Sequence, residues 1–295
     1  MLSQLSNQLA DVVDVAAPSV VQVHGRRRPA SGLVYGPGIV VTTMRAIGRE
    51  DNLQVRGPDG RVLAAEFAGW DVATTLAVLR VAELDAPPAT LASAPPRVGH
   101  IAVALARSWS NATTASTGIV SVVGGPLRTS RHHAIETVIR TTAPMHDGFS
   151  GGAFVDVEGR LIGVTTASAI RGLGVVIPAS IAWKAVAHVL ERGGGSKAYL
   201  GVSTQVVHLP GHQLTDPSRQ RAVLVLGVAS DSPAARAGIL VGDVILSLGD
   251  RNVEVPEDVL EVMSRVAPGS AAILRVLRGG VVTDVSVTVG ERPVA

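Results

Sequence analysis

The sequence predicts an all-β-dominated chain, with two successive strand-rich units followed by a smaller β-rich unit carrying two short helices. Three observations carry this: the length exceeds one compact core, the apolar residues are mostly aliphatic, and they fall in short runs broken by Gly and Pro. At 295 residues the chain suits more than one domain. Hydrophobic residues make up 46% of it and aromatic residues only 3%, so its cores must be built from Val, Leu, Ile and Ala. Such a composition suits many short strands.

Residues 2–16 place Leu2, Leu5, Leu9, Val12, Val13 and Val15 mostly three and four apart, which predicts an amphipathic helix. From Ser19 the runs SVVQVHG, GLVYGPGIVVTT, NLQVRGPDGRVLAAEFAGW and TLAVLRV read as consecutive antiparallel strands. A second series follows Pro95 and Pro96: HIAVALA, ASTGIVSVVGG, IETVIRTT, GAFVDVEGRLIGVTTA and LGVVIP. The stretch PASIAWKAVAHVLERGGGSK starts with Pro and Ser, keeps helical spacing through Ile181, Val186, Val189 and Leu190, and stops at three glycines. It predicts a closing helix and a linker over 193–197. Beyond it, strands are expected at AVLVLGVA, VILSLG, AAILRVLRGG and VTDVSVTV, with helices at SPAARAGI and PEDVLEVMSRV. The expected divisions are a helix over 1–17, a strand-rich domain over 18–192, the linker, and a small domain over 198–292.

The absence of cysteine rules out a disulfide framework, a thiolate zinc site and a cysteine nucleophile. No cofactor and no metal are expected. The opening MLSQLSNQLADVVDVAAPSVV has no basic start and is interrupted by Gln4, Asn7, Gln8, Asp11 and Asp14, so it reads as neither leader nor anchor. A cytoplasmic location is the expectation from it, and no later run reaches the roughly 20 apolar residues of a membrane span. The formal charge of +2 gives little reason to expect nucleic acid. The one dense basic cluster, Arg26-Arg27-Arg28, reads as a solvated loop.

Chemistry concentrates in Asp147-Gly148-Phe149-Ser150-Gly151-Gly152-Ala153-Phe154. A Ser among glycines at a sharp bend can expose its hydroxyl, while the amides of Gly148 and Ser150 converge on one carbonyl oxygen as an oxyanion hole. Taken alone, the G-x-S-G-G pattern fits a plain glycine-rich turn equally well. The longer run RTTAPMHDGFSGGAFVDVEGRLIGVTTAS resembles the nucleophile region of trypsin-like serine proteases of the HtrA (DegP/DegS) family. The resemblance extends over almost the whole chain from Pro18. It implies a double β-barrel with a cleft between lobes, then a PDZ domain, and commonly a trimeric assembly.

The chain departs from that family where catalysis needs a base. The segment Val41-Thr42-Thr43-Met44-Arg45-Ala46-Ile47 resembles the one bearing the family's His, and the matching position is Arg45. An arginine stays protonated and has no lone pair to accept a proton. Within Asp71-Val72-Ala73-Thr74-Thr75-Leu76-Ala77-Val78-Leu79 the position matching the family's Asp is Thr75. Ser150 is therefore a nucleophile without its two partners, and a pseudoprotease is expected. His24, His100, His132, His133 and His146 are the remaining candidate bases; one of them acting on Ser150 would make the chain a working endopeptidase instead. Arg45 is expected to plug the cleft through Ser150, with Asp71 as its counter-ion. By resemblance the substrate pocket runs over residues 164–169 and 172–176, where small apolar residues suit a small or aliphatic side chain.

The segment Tyr199-Leu200-Gly201-Val202 resembles the carboxylate loop of HtrA-type PDZ domains, and SPAARAGILVGDVILSLGDRNV is the most specific match. The resemblance implies binding of apolar polypeptide C-terminal tails by strand addition. Val259 and Met263 on PEDVLEVMSRV are candidates for the peptide groove; equally, they fill the core.

Overall fold

The computed structural model describes residues 2–25, 28–47, 52–107, 110–129, 133–192, 198–209, 221–263 and 266–291. The expected linker 193–197, Arg26, Arg27 and His132 lie outside the described residues. The chain divides into two compact units, with the main division in the sequence after residue 194.

The first unit opens with helix α1 (Leu2–Ala16), which buries Val12 and Ala16 against the main core. Seven strands follow: β1 (Val20–His24), β2 (Ala30–Gly36), β3 (Ile39–Thr43), β4 (Gln54–Arg56), β5 (Val62–Ala64), β6 (Glu66–Trp70) and β7 (Leu76–Arg80). They form one antiparallel sheet in the order β5-β4-β1-β2-β3-β7-β6. A one-turn helix α2 (Met44–Ile47) leaves the end of β3. Next come β8 (Ile101–Arg107), β9 (Thr113–Gly124), a small hairpin of β10 (Leu127–Arg128) and β11 (Ala134–Ile135), β12 (Val138–Thr141), β13 (Ala153–Val155), β14 (Leu161–Ile170) and β15 (Leu173–Pro178). Of these, β12-β15-β14-β13-β8-β9 close into a barrel. Closure leaves no free edge there. Helix α3 (Ala179–Arg192) ends the unit, with Ala182, Val186 and Val189 in the same aliphatic core as Leu33, Val41, Leu105 and Ile177.

That core ties both strand layers together, and a buried cation reinforces the join. Arg107, at the end of β8, donates to the carbonyls of Val20, Asn111 and Ala17. Burial holds its pKa below the usual arginine value, but carbonyl dipoles satisfy the guanidinium in place of a carboxylate.

The second unit contains β16 (Ala198–Tyr199), β17 (Val202–His208), β18 (Arg221–Val228), helix α4 (Pro233–Arg236), β19 (Val244–Leu248), β20 (Arg251–Asn252), helix α5 (Pro256–Met263), β21 (Ala271–Arg278), β22 (Val281–Thr288) and β23 (Gly290–Glu291). The main sheet runs β17-β18-β19-β21-β22, so β17 is an edge. Both helices have local start signals: Ser232 accepts from the Ala235 amide ahead of Pro233, and the Asp258 carboxylate accepts from the amides of Glu254 and Val255. The expected helix at SPAARAGI is only one turn, because Gly238 takes φ +79° and ends it.

Candidate functional site

Ser150 lies just after a 3-10 turn, Asp147–Phe149, and just before β13. The bend is possible only because of two glycines. Gly151 has φ +83°, and a Cβ there would meet the Ser31 carbonyl at 2.3 Å; one on Gly152 would meet the Leu105 carbonyl at 2.2 Å. The loop is also held by its carbonyls. Gly148 O accepts from the Ser31 hydroxyl at 2.8 Å, Phe149 O from the Thr165 hydroxyl, and Ser150 O from the Ser31 amide at 3.0 Å. Strands β2 and β14 thus fix the segment from opposite sides.

Ser150 is 2% exposed. Its hydroxyl meets Thr43 Oγ1 at 2.7 Å and lies 3.4 Å from Thr166 O. Thr43 is the residue before α2 and also accepts from the Ala46 amide at 3.3 Å, in the manner of an N-cap. No imidazole among the described residues bonds to Ser150. His24 pairs with Gln22 on β1 at 2.7 Å, its pKa lowered by burial and then by the Arg56 charge. His100 bonds to Arg97, and the Thr129 amide donates to the His133 carbonyl. His146 uses Nδ1 to accept from the Gly148 amide at 3.0 Å.

Arg45 is on α2, with its side chain 56% exposed and its guanidinium 3.5 Å from the Asp147 carboxylate. The expected plug on Ser150 and the expected Arg45–Asp71 pair are therefore both corrected. Asp71 closes its own turn, accepting from the Thr74 amide and hydroxyl at 2.7 and 2.6 Å. Thr75 adjoins this region through its backbone, its carbonyl accepting from the Met44 amide at 2.9 Å, and it has φ +58°. The side chains at the three positions expected to correspond to the catalytic ones, Ser150, Arg45 and Thr75, make no hydrogen bond to one another among the described residues.

The amides expected to form an oxyanion hole are committed elsewhere. Gly148 N–H points to His146, and Ser150 N–H donates to the Asp147 carbonyl at 3.1 Å. The expected substrate pocket is narrowed as well: a Cβ at Gly174 would lie 2.2 Å from the Met145 methyl, so Met145 covers that wall.

In the second unit, Gly201 has φ +82° and sits where a Cβ would lie 2.2 Å from Ser232 Cβ. Tyr199 pairs with Gly290, Val202 begins edge strand β17, and the carbonyls of Leu200 and Gly201 accept from the amides of Ala234 and Ala229. Among the described residues the amides of Leu200 and Gly201 donate no hydrogen bond. Val259 and Met263 are 6% and 5% exposed within the core beneath the sheet, which is the packing reading of those positions.

Residues 30–164 match the model of the trypsin-like peptidase domain, and residues 198–289 that of the PDZ domain. Fold and site together define a trypsin-like peptidase domain followed by a PDZ domain. Curated relatives include a probable periplasmic serine endoprotease, DegP-like, of Halomonas elongata, 29% identical over 94% of this chain and 60% of its own length. The serine endoprotease DegS of Haemophilus influenzae is 26% identical over 96% of this chain and 88% of its own. Among solved structures, the HtrA-type protease AlgW with a tripeptide is 29% identical, with a TM-score of 0.57 over 97% of this chain and 98% of that one. The chain is an HtrA-type serine protease homologue with a PDZ domain. It spans little more than half the length of the DegP-like relatives.

Those DegP-like relatives are named periplasmic, which overturns the cytoplasmic expectation. The polar interruptions in residues 1–21 are thus no guide to compartment. No helix among the described residues is long and apolar enough to cross a membrane.

Proposed function

We propose that this chain is a protease homologue that does not cleave peptide bonds and instead binds polypeptide C-terminal tails through its PDZ domain, in a scaffold, sensor or chaperone-like role. The observation that carries the reading is the partner of the nucleophile. Ser150 meets the Thr43 hydroxyl at 2.7 Å, where attack requires an imidazole able to take the proton. A threonine hydroxyl is as weak a base as the serine it faces. The exposed Arg45 cannot replace it, since a guanidinium has nothing to accept with.

Tail binding rests on a different set of atoms. Strand β17 is an edge to which an extended peptide can add, and the uncommitted amides of Leu200 and Gly201 stand at its start, where a terminal carboxylate would be received. The HtrA-type protease AlgW is known in structures with a decapeptide and with a tripeptide, in keeping with this mode. The divisions 18–192 and 198–292, with a linker between, are part of the same proposal.

The test combines a fluorophosphonate probe, hydrolysis of unfolded casein, and fluorescence anisotropy of a labelled peptide ending in an apolar residue. We expect no Ser150-dependent labelling and no cleavage, with tail binding that is lost when the peptide is amidated. Labelling and cleavage that disappear in Ser150→Ala would establish a working endopeptidase.

A further inference from the structure

We infer that His146 is a proton-sensitive latch that keeps the nucleophile turn closed, withholding the Gly148 amide from any peptide carbonyl in the cleft. This rests on the family reading above but concerns a contact that the reading does not use. The first of the two potential oxyanion donors, Gly148 N–H, is bound by the side chain of the residue that caps the 3-10 turn. The second, Ser150 N–H, is bound within the turn itself by Asp147 O. Because Phe149 N–H also donates to His146 O at 2.9 Å, residue 146 holds the turn by both backbone and side chain.

The contact depends on protonation by simple valence. Nδ1 can accept only when it carries a lone pair, as in the neutral ring protonated at Nε2; an imidazolium bears hydrogens on both nitrogens and accepts nothing. Protonation therefore replaces an N–H···N bond by two opposed N–H groups, and the turn must open or swing the ring away. Among the described residues, the charged groups at this turn are the neighbouring Asp147 carboxylate and the Arg45 guanidinium from α2, which pair with each other at 3.5 Å. The ring also meets the Phe149 phenyl edge-on, with centroids 4.9 Å apart. His146 is exposed, so protons reach it without unfolding. Gly148, Phe149 and Ser150 behind it are buried, and their carbonyls stay anchored to Ser31 and Thr165. Release of the latch is thus confined to the amide side of the turn.

Hydrogen exchange of the Gly148 amide in the full chain, read by NMR as protection relative to the intrinsic rate at each pH, tests this. The Gly152 amide, which donates to Phe149 O at 2.9 Å, is the internal control for local unfolding. In the wild type we expect Gly148 protection to fall about tenfold as the His146 ring signals titrate, on the scale of a lost cap, with Gly152 unchanged. His146→Asn, whose side-chain oxygen caps without titrating, keeps protection at both pH extremes; His146→Ala lacks it at both. Equal Gly148 protection in wild type and His146→Ala, or the same pH dependence in His146→Asn, overturns the latch. Neither result bears on proteolysis, so the latch and the non-cleaving reading fail separately.

Discussion

Ser31 is fully buried, and its hydroxyl works in two directions, donating to Gly148 O at 2.8 Å and accepting from the Arg107 amide at 2.9 Å. Removing it in Ser31→Ala strands a buried acceptor and a buried donor, each costing about 1 to 3 kcal/mol. Urea denaturation should therefore show a loss of about 2 to 6 kcal/mol in the first unit; a change below about 0.5 kcal/mol would mean that water reaches both groups. Arg45 is the opposite case. Its pair with Asp147 is long and solvent-exposed, so Arg45→Ala should change stability by no more than about 0.5 kcal/mol and should not bring on casein hydrolysis. The contrast also marks what could be read from the sequence. Ser150 and the vacancy at Arg45 are visible in contiguous motifs. The Thr43 hydroxyl, 107 residues from Ser150, and the Ser31 hydroxyl, 117 residues from Gly148, carry no local signal, since only the closed fold brings them together.

The turn between β6 and β7 holds the most costly local conformation near the site. Thr75 has φ +58°, a region that crowds a β-branched side chain, yet its backbone is fixed by Asp71 O and by the Met44 amide at the start of α2. Relieving the crowding while keeping the backbone bonds, as in Thr75→Asn, should raise stability by about 1 kcal/mol, measured as a shifted urea midpoint at unchanged slope. A lowered midpoint would mean that the threonine side chain packs better than its backbone suggests. The proposed carboxylate loop makes the reverse prediction. Gly201→Ala drives a Cβ into Ser232 at a positive φ, so it should abolish tail binding in the anisotropy assay, whereas Val259→Ala should act chiefly by loosening the core. Short apolar runs bounded by Gly and Pro made most strands legible, because core strands such as β1, β3, β7, β8 and β19 are buried along nearly their whole length. The hairpin of β10 and β11 was not, being two residues per strand, and neither was the brevity of α4, which a single glycine decides.

The two units have separate hydrophobic cores with no residue in common, so each should respond to its own ion pairs. In the second unit Asp243 is 1% exposed and meets Arg278 through two bonds of 2.7 Å, while accepting from the Leu240 amide at 2.9 Å. The hydrogen bonds from Arg278 hold its carboxyl below the usual aspartate range, against the opposing effect of burial. A carboxylate with a lowered folded pKa stabilises fully above its unfolded value near 3.9, and that stability is lost as pH falls through the folded value. Arg278→Ala leaves the buried carboxylate without its cation, so the variant should be less stable than wild type by about 2 to 3 kcal/mol at pH 7. The gap should shrink below about pH 4, where protonation of Asp243 makes the lost partner matter less. No tryptophan occurs after residue 183, so tryptophan fluorescence does not follow the second unit, while calorimetry follows both. The expected result is a calorimetric transition that moves with Arg278→Ala and with acid, beside a fluorescence transition that ignores the substitution. A gap of equal size at pH 7 and pH 3 would remove the charge pair as its cause. A fluorescence transition that moves in step would show that the units unfold as one.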